Sequence, residues 1–139
     1  MSERPEPTAR LMIRALRSFE VDLQHRLDAD GFTDVTVAHT NVLRHLSSGG
    51  MRLKDLATDA AITKQGISQA ARALQARDLV AIESDPDDRR AKRVIYTDRG
   101  RRLIACALGH IVEIEREWAN ALGVEGYQGL RSALEKLQD

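Results

Sequence analysis

Asp85-Pro86-Asp87-Asp88-Arg89-Arg90-Ala91-Lys92-Arg93, running straight into Val94-Ile95-Tyr96-Thr97-Asp98-Arg99-Gly100, is the stretch whose reading decides the fold. A Pro- and Asp-rich turn opens it, guanidinium and ammonium groups crowd its middle, and a short apolar run follows. Proline presets φ for a turn, and aspartate hydrogen-bonds its own backbone two residues on. Leu79 to Glu83 and Arg93 to Thr97 flank the turn as strand-like runs, with Asp85 to Lys92 as the loop between them. The segment is a β-hairpin whose tip is built to meet something negatively charged.

Upstream lie two short helices. Arg52 to Thr58 presents Leu53, Leu56 and Ala57 as its buried face. Thr63 can cap a further helix to about Arg77, because its hydroxyl can accept a bond from an unpaired N–H of the first turn. That helix turns Ile67, Ala70, Ala71 and Leu74 inward. Its outward face is Gln65, Ser68, Gln69 and Arg72, with Lys64 at the start. No apolar side chain lies on that face; amide and guanidinium groups are the chemistry that reads base edges and phosphates. A helix–turn–helix followed by a basic hairpin is a winged helix-turn-helix, and the negative partner it implies is DNA.

The remaining elements are helical. About Thr8 to Asp28, Met12, Leu16, Phe19, Leu23 and Leu27 recur at spacings of three and four, one apolar stripe. Thr36 to Ser47 follows, with Val42, Leu43 and Leu46 inward, and Ser48-Gly49-Gly50 ends it. After the hairpin, Thr97 can cap a long helix, about Asp98 to Leu122, marked by Leu103, Ala107, Ile111, Ile114 and Trp118. Gly123 to Gly126 breaks the chain before a last helix, Tyr127 to Leu137. The fold class is mainly α with a small β-hairpin wing.

Composition sets the outer bounds. The 139 residues, 42% hydrophobic and 30% charged, suit one domain with a buried core. No apolar run approaches the roughly 20 residues that span a bilayer. The polar start, Met1 to Ala9, lacks the apolar stretch of a signal peptide, so a cytoplasmic protein with no membrane partner is expected. One cysteine, Cys106, excludes an intrachain disulfide and a multi-cysteine zinc site. It falls near the apolar side of the long helix, where a thiol is packing. His25, His39, His45 and His110 form no close metal-ligand motif, so no metal is expected. His39 and Asn41 fit either a ligand pocket or a polar surface.

Formal net charge is zero, which by itself argues against nucleic acid, but the charge is segregated. Arg52 to Arg102 holds 12 basic and 8 acidic side chains, a net of +4, and the remainder is −4. Seven basic residues and one acid, Asp98, lie between Arg89 and Arg102. A local basic patch is the electrostatic footprint of a phosphate backbone.

The order of elements and their wording resemble the MarR family of bacterial transcription regulators. Leu53-Lys54-Asp55-Leu56-Ala57, Ile67-Ser68, Leu74 to Val80, Asp85 to Arg90 and Tyr96-Thr97-Asp98-Arg99-Gly100 follow one another as the family's L-x-x-L-A, V-S, L-x-x-x-G-L-[IV], D-x-R and L-T-x-x-G do. Two positions depart. Asp78 replaces the usual glycine where a left-handed backbone is common, which aspartate tolerates better than most residues. Tyr96 replaces the usual leucine, and its hydroxyl needs a partner.

The resemblance implies a single domain, 1–139. About 36–97 would be the DNA-binding winged helix, with 8–30 and 98–139 packing across a two-fold axis as dimerisation helices. It implies a homodimeric, sequence-specific regulator on a pseudo-palindromic operator in double-stranded DNA, expected to repress. Gln65 and Gln69 would read bases, Gly66 would let the backbone approach, and Lys64, Ser68 and Arg72 would hold phosphates. Arg90, the D-x-R arginine, would enter the flanking minor groove. Asp88 would orient it, with Arg89, Lys92 and Arg93 as further phosphate contacts. A small, often aromatic effector would release DNA, and no other cofactor is implied. The rival from another class is a winged helix that binds protein, which calls for an apolar or acidic tip. An enzyme is not expected: no G-x-S-x-G, phosphate-cradling glycine loop or paired-histidine motif is present. Asp87 and Asp88, in an exposed turn beside arginines, would stay ionised and unfit as a general acid.

Overall fold

The computed structural model describes residues 4–138. In chain order it holds α1 (Thr8–Ala29), α2 (Val37–Leu43), β1 (Met51–Arg52), α3 (Leu53–Asp59), α4 (Lys64–Ala76), β2 (Val80–Ser84), β3 (Lys92–Tyr96) and α5 (Asp98–Lys136). The strands form one antiparallel sheet in the order β1-β3-β2. Ile82 pairs with Val94 and Ser84 with Lys92, which sets the hairpin register, and Val94 pairs with Met51 on its other side. Strand β1 escaped the sequence reading because two residues are too short to show alternation.

The core is continuous across the helices and the sheet. Leu23 and Leu27 of α1 meet Leu43, Leu56, Ile67, Leu74, Leu79, Val94, Leu103 and Ile114 in one buried cluster. Burial of such side chains contributes roughly 1.5–3 kcal/mol each. The α1 stripe behaves differently along its length. Leu23 and Leu27 are buried and Phe19 half-buried, whereas Leu11, Met12, Ile13 and Leu16 face outward.

Helix α2 stops at Leu43, short of the expected Ser47. Beyond it the chain tightens into three-residue turns, with His45 N–H donating to Val42 O and Leu46 N–H to Leu43 O. The Tyr96 hydroxyl donates to the Leu43 and Leu46 carbonyls at this helix end, which is the partner it needed. Thr97 caps α5 as expected, its Oγ1 accepting from Gly100 N–H at 3.0 Å. Asp78 takes a left-handed φ of 56°, also as expected. The expected break over Gly123 to Gly126 narrows to Gly123 alone, where φ 75° and ψ 163° interrupt α5.

Gly100 fixes where α5 leaves the sheet. A Cβ there would lie 1.9 Å from the carbonyl oxygen of Leu79, the residue that leads into β2, so the helix meets this segment backbone to backbone. Thr97 N–H donates to the same carbonyl at 3.1 Å. The last turns of α1 are tied to the middle of α5 by polar side chains. Arg26 donates to Asp22, Glu113 and Glu117, and His110 meets Asp30. No helix among the described residues is long and apolar enough to cross a membrane.

Candidate nucleic-acid interface

Helix α4 and the β2–β3 hairpin carry the candidate site. Thr63 caps α4, its Oγ1 accepting from Gly66 N–H at 3.0 Å. Ile67, Ala71 and Leu74 are buried, which turns the opposite face to solvent. Lys64, Gln65, Gln69 and Arg72 are exposed there, with Gly66 and Ser68 half-buried beside them. No acid lies in the first turn, so the positive end of the helix dipole is left uncompensated. Such an end favours an anion. Gly66 has a reason inside the chain: a Cβ there would come within 2.9 Å of Ile62 and 3.0 Å of Thr63.

The hairpin tip is held by its own backbone. Asp85 N–H donates to Ala91 O and Ala91 N–H to Asp88 O, each at 2.9 Å. Asp88 Oδ1 accepts from Arg90 N–H at 3.1 Å and lies 3.5 Å from Arg90 Nε. Asp88 therefore shapes the turn and touches the arginine at once. The Arg90 side chain is 94% exposed, and Arg89 and Lys92 are exposed beside it. Arg93 is differently employed. Its guanidinium donates to the Gly49 and Gly50 carbonyls at 2.9 and 3.1 Å, binding β3 to the turn before β1.

These two pieces border one cleft. Lys64 and Ser68 of α4 line it with Lys92 and Ala91 of the hairpin, and Arg52 and Lys54 close its side. A polar helix face and a cationic tip on one side of the molecule suit a long polyanion better than a point ligand. Gln75 sets their separation from the other end of α4, its Oε1 accepting from Ile82 N–H at 3.1 Å.

One feature of the site was missed in the sequence. Asp85 is buried, 3% exposed, although it looked like one more turn aspartate. Arg52 Nε donates to its Oδ2 and Asp87 N–H to its Oδ1, both at 2.8 Å. The Arg52 hydrogen bond first, and the Asp87 N–H second, hold this carboxyl below the usual carboxylate range. The partner is 33 residues away in β1, so no local spacing announces the pair.

The other singled-out residues lie elsewhere. Cys106 is half-buried against the core. His39 caps α2, its Nδ1 accepting from Thr36 N–H at 3.0 Å. Burial first, and Arg77 second, push that imidazole below its ordinary value. No group of three metal-ligating side chains gathers among the described residues.

Comparison with known proteins gives a family match over part of the chain and a set of similar folds. Residues 33–91 match the model of the MarR family. The transcriptional repressor CouR, solved on a 23-mer DNA duplex, superposes with a TM-score of 0.76 at 25% identity, covering 93% of this chain and 90% of CouR. BpsR of Bordetella bronchiseptica, described with a mechanism for regulation of its DNA binding by 6-hydroxynicotinic acid, gives 0.74 at 26%, over 96% of this chain and all of BpsR (100%). MepR of Staphylococcus aureus, solved as a DNA complex, gives 0.79 at 19%, over 96% of each chain, a likeness of fold.

Proposed function

We infer that this chain, a MarR-family winged-helix protein, is a transcription regulator that binds double-stranded DNA. The observation that carries the reading is the single cationic face shared by the start of α4 and the hairpin tip. In this reading α4 enters a major groove. Gln65 and Gln69 meet base edges, because a glutamine amide both donates to and accepts from adenine. Lys64, Ser68 and Arg72 hold phosphates and so fix register. Arg90 reaches from the hairpin into the flanking minor groove, with Asp88 fixing its base, and Arg89 and Lys92 hold the adjoining backbone. Arg93 adds charge from below, with its Nη2 donating to the Gly49 and Gly50 carbonyls.

The working unit we propose is a homodimer on a pseudo-palindrome, acting as a repressor in the cytoplasm. The outward Leu11, Met12, Ile13 and Leu16 of α1 and Leu122 and Val124 of α5 support a second copy. Exposed large apolar side chains concentrated on two helices are of the kind a partner chain covers. A two-fold dimer sets two recognition helices about one DNA turn apart. Release by a small aromatic effector completes the proposal. The half-buried Phe19–Trp118 pair, with ring centroids 5.8 Å apart between α1 and α5, supports such chemistry, and regulation of BpsR by a small aromatic acid gives the precedent.

The test is fluorescence anisotropy on duplexes enriched from a random pool, with unenriched duplex as reference, over a salt series. Tight binding that weakens steeply with salt and favours the enriched duplex is expected. Equal, weak affinity for both duplexes would overturn the reading in favour of a protein partner.

A further inference from the structure

We propose that Arg52 and Asp85 are positioning residues: their buried contact sets the angle between the hairpin wing and the helix–turn–helix, so that one duplex meets both. The proposal rests on the DNA-binding reading above and adds how the two halves of that surface are held in register. Asp85 and Thr40 are the buried polar or charged residues among those described, and only Asp85 is an acid. A carboxylate is kept there only when its charge is met. Arg52 meets it through Nε, and Asp87 N–H takes the second oxygen.

The two residues sit where the angle is decided. Arg52 is the last residue of β1 and the cap position of α3, so its backbone belongs to the helix–turn–helix. Asp85 follows β2 directly and its N–H closes the hairpin loop on Ala91. Their side chains join the two across 33 residues of sequence. The sheet bonds of β1 with β3 reach only Arg93, whereas the ion pair reaches the base of the loop that presents Arg89 and Arg90. The contact is directional, since one guanidinium N–H and one amide N–H fix both carboxylate oxygens.

The electrostatics give a test by sign. Arg52 lines the cationic cleft, so Asp85 places a negative charge beside the surface that would receive phosphates. Removing an acid from such a surface ordinarily strengthens DNA binding. A positioning role demands the reverse. Asp85→Asn, which keeps the shape, is expected to weaken binding to the enriched duplex about tenfold, the scale of one hydrogen bond between charged groups. Arg52→Gln should do the same and Arg52→Lys should recover most of the loss. The double variant Arg52→Gln, Asp85→Asn should be no weaker than either single one. Hydroxyl-radical footprints should lose protection on the flanks, under the wing, and keep it at the half-site centres.

A second readout is independent of DNA. In the free protein, hydrogen exchange at the Asp85 and Asp87 amides should quicken in Asp85→Asn and Arg52→Gln while α1 and α5 amides stay unchanged. Unchanged exchange at both loop amides overturns the positioning role whether or not DNA binds. Equal or tighter DNA binding by Asp85→Asn overturns it too. Failure of the wild-type protein to prefer any duplex, with loop exchange altered as expected, strikes the DNA reading and leaves the anchor standing.

Discussion

At the scale of single residues, the site divides into groups that project and groups that hold. Arg90 projects, almost wholly in solvent, and touches no core atom. Arg90→Ala is therefore predicted to leave folding and self-association unchanged. DNA affinity should drop about tenfold and the salt slope by about one unit, as for one lost phosphate-region contact. Anisotropy at several salt concentrations checks this, and an unchanged slope would count against a wing contact. Gln69 stands exposed in the second turn of α4, where a base-reading amide matters for preference more than for strength. Gln69→Ala should shift the sequence logo recovered by selection while costing random duplex little. An equal loss on both would make Gln69 a general contact. The outward face was legible in the sequence because three buried positions, Ile67, Ala71 and Leu74, fix the rotation of the helix. The burial of Asp85 was not legible. Its neighbours Pro86, Asp87 and Asp88 supply a sufficient local reason for an aspartate, and its real partner is remote in sequence.

At the scale of elements, junctions decide the arrangement. The Gly100 contact makes the α5–β2 junction a backbone contact with no slack. Gly100→Ala is predicted to cost about 3 kcal/mol or to prevent folding, since the obstructing atom is a carbonyl already bonded to Thr97. Urea denaturation measures it, and a loss below about 0.5 kcal/mol would show that the helix can shift. Acid acts on two other junctions. Asp34 is paired with Arg99 at 2.7 Å, and Asp85 with Arg52 at 2.8 Å. Both carboxyls are held below their ordinary value, by the hydrogen bond to the arginine first. A lowered folded-state value means the unfolded chain binds protons first as pH falls. The stabilisation is thus complete above about pH 4, the ordinary aspartate value, and is lost below it. The urea midpoint should fall more steeply below pH 4 in the wild type than in Asp34→Asn. Parallel curves would contradict the linkage. Element identity was readable from caps and stripes, Thr63 and Thr97 above all. The strand β1 and the early end of α2 were not, because both are set by β3: one by its pairing with Val94, the other by the Tyr96 hydroxyl.

At the scale of the whole molecule, the chain leaves part of its apolar surface uncovered. The first half of α1 and the far part of α5 present Leu11, Leu16, Leu122 and Val124 outward, Leu16 at 55% exposure. A stripe read from spacing alone does not tell which half faces its own core and which is left exposed. The core does: it reaches α1 only from Phe19 onward. Sedimentation equilibrium should return twice the 15.5 kDa chain mass. Leu16→Asp should move the population to the monomer without loss of helix, because Leu16 touches little of its own core. A persistent dimer would place the interface elsewhere. Two copies joined through α1 and α5 would carry two α4 helices and two wings, which turns a one-sided cationic face into a two-fold one.

DNA reading by a two-fold face of this kind is what the proposed dimer exists to do. Selection from random duplex with the 139-residue chain, followed by hydroxyl-radical footprinting of the winner, puts this to the test. An enriched pseudo-palindrome is expected, with half-site centres about 10 base pairs apart, protected at both centres and on both flanks. No enrichment at low salt, or an unpaired half-site protected on one side only, would contradict it.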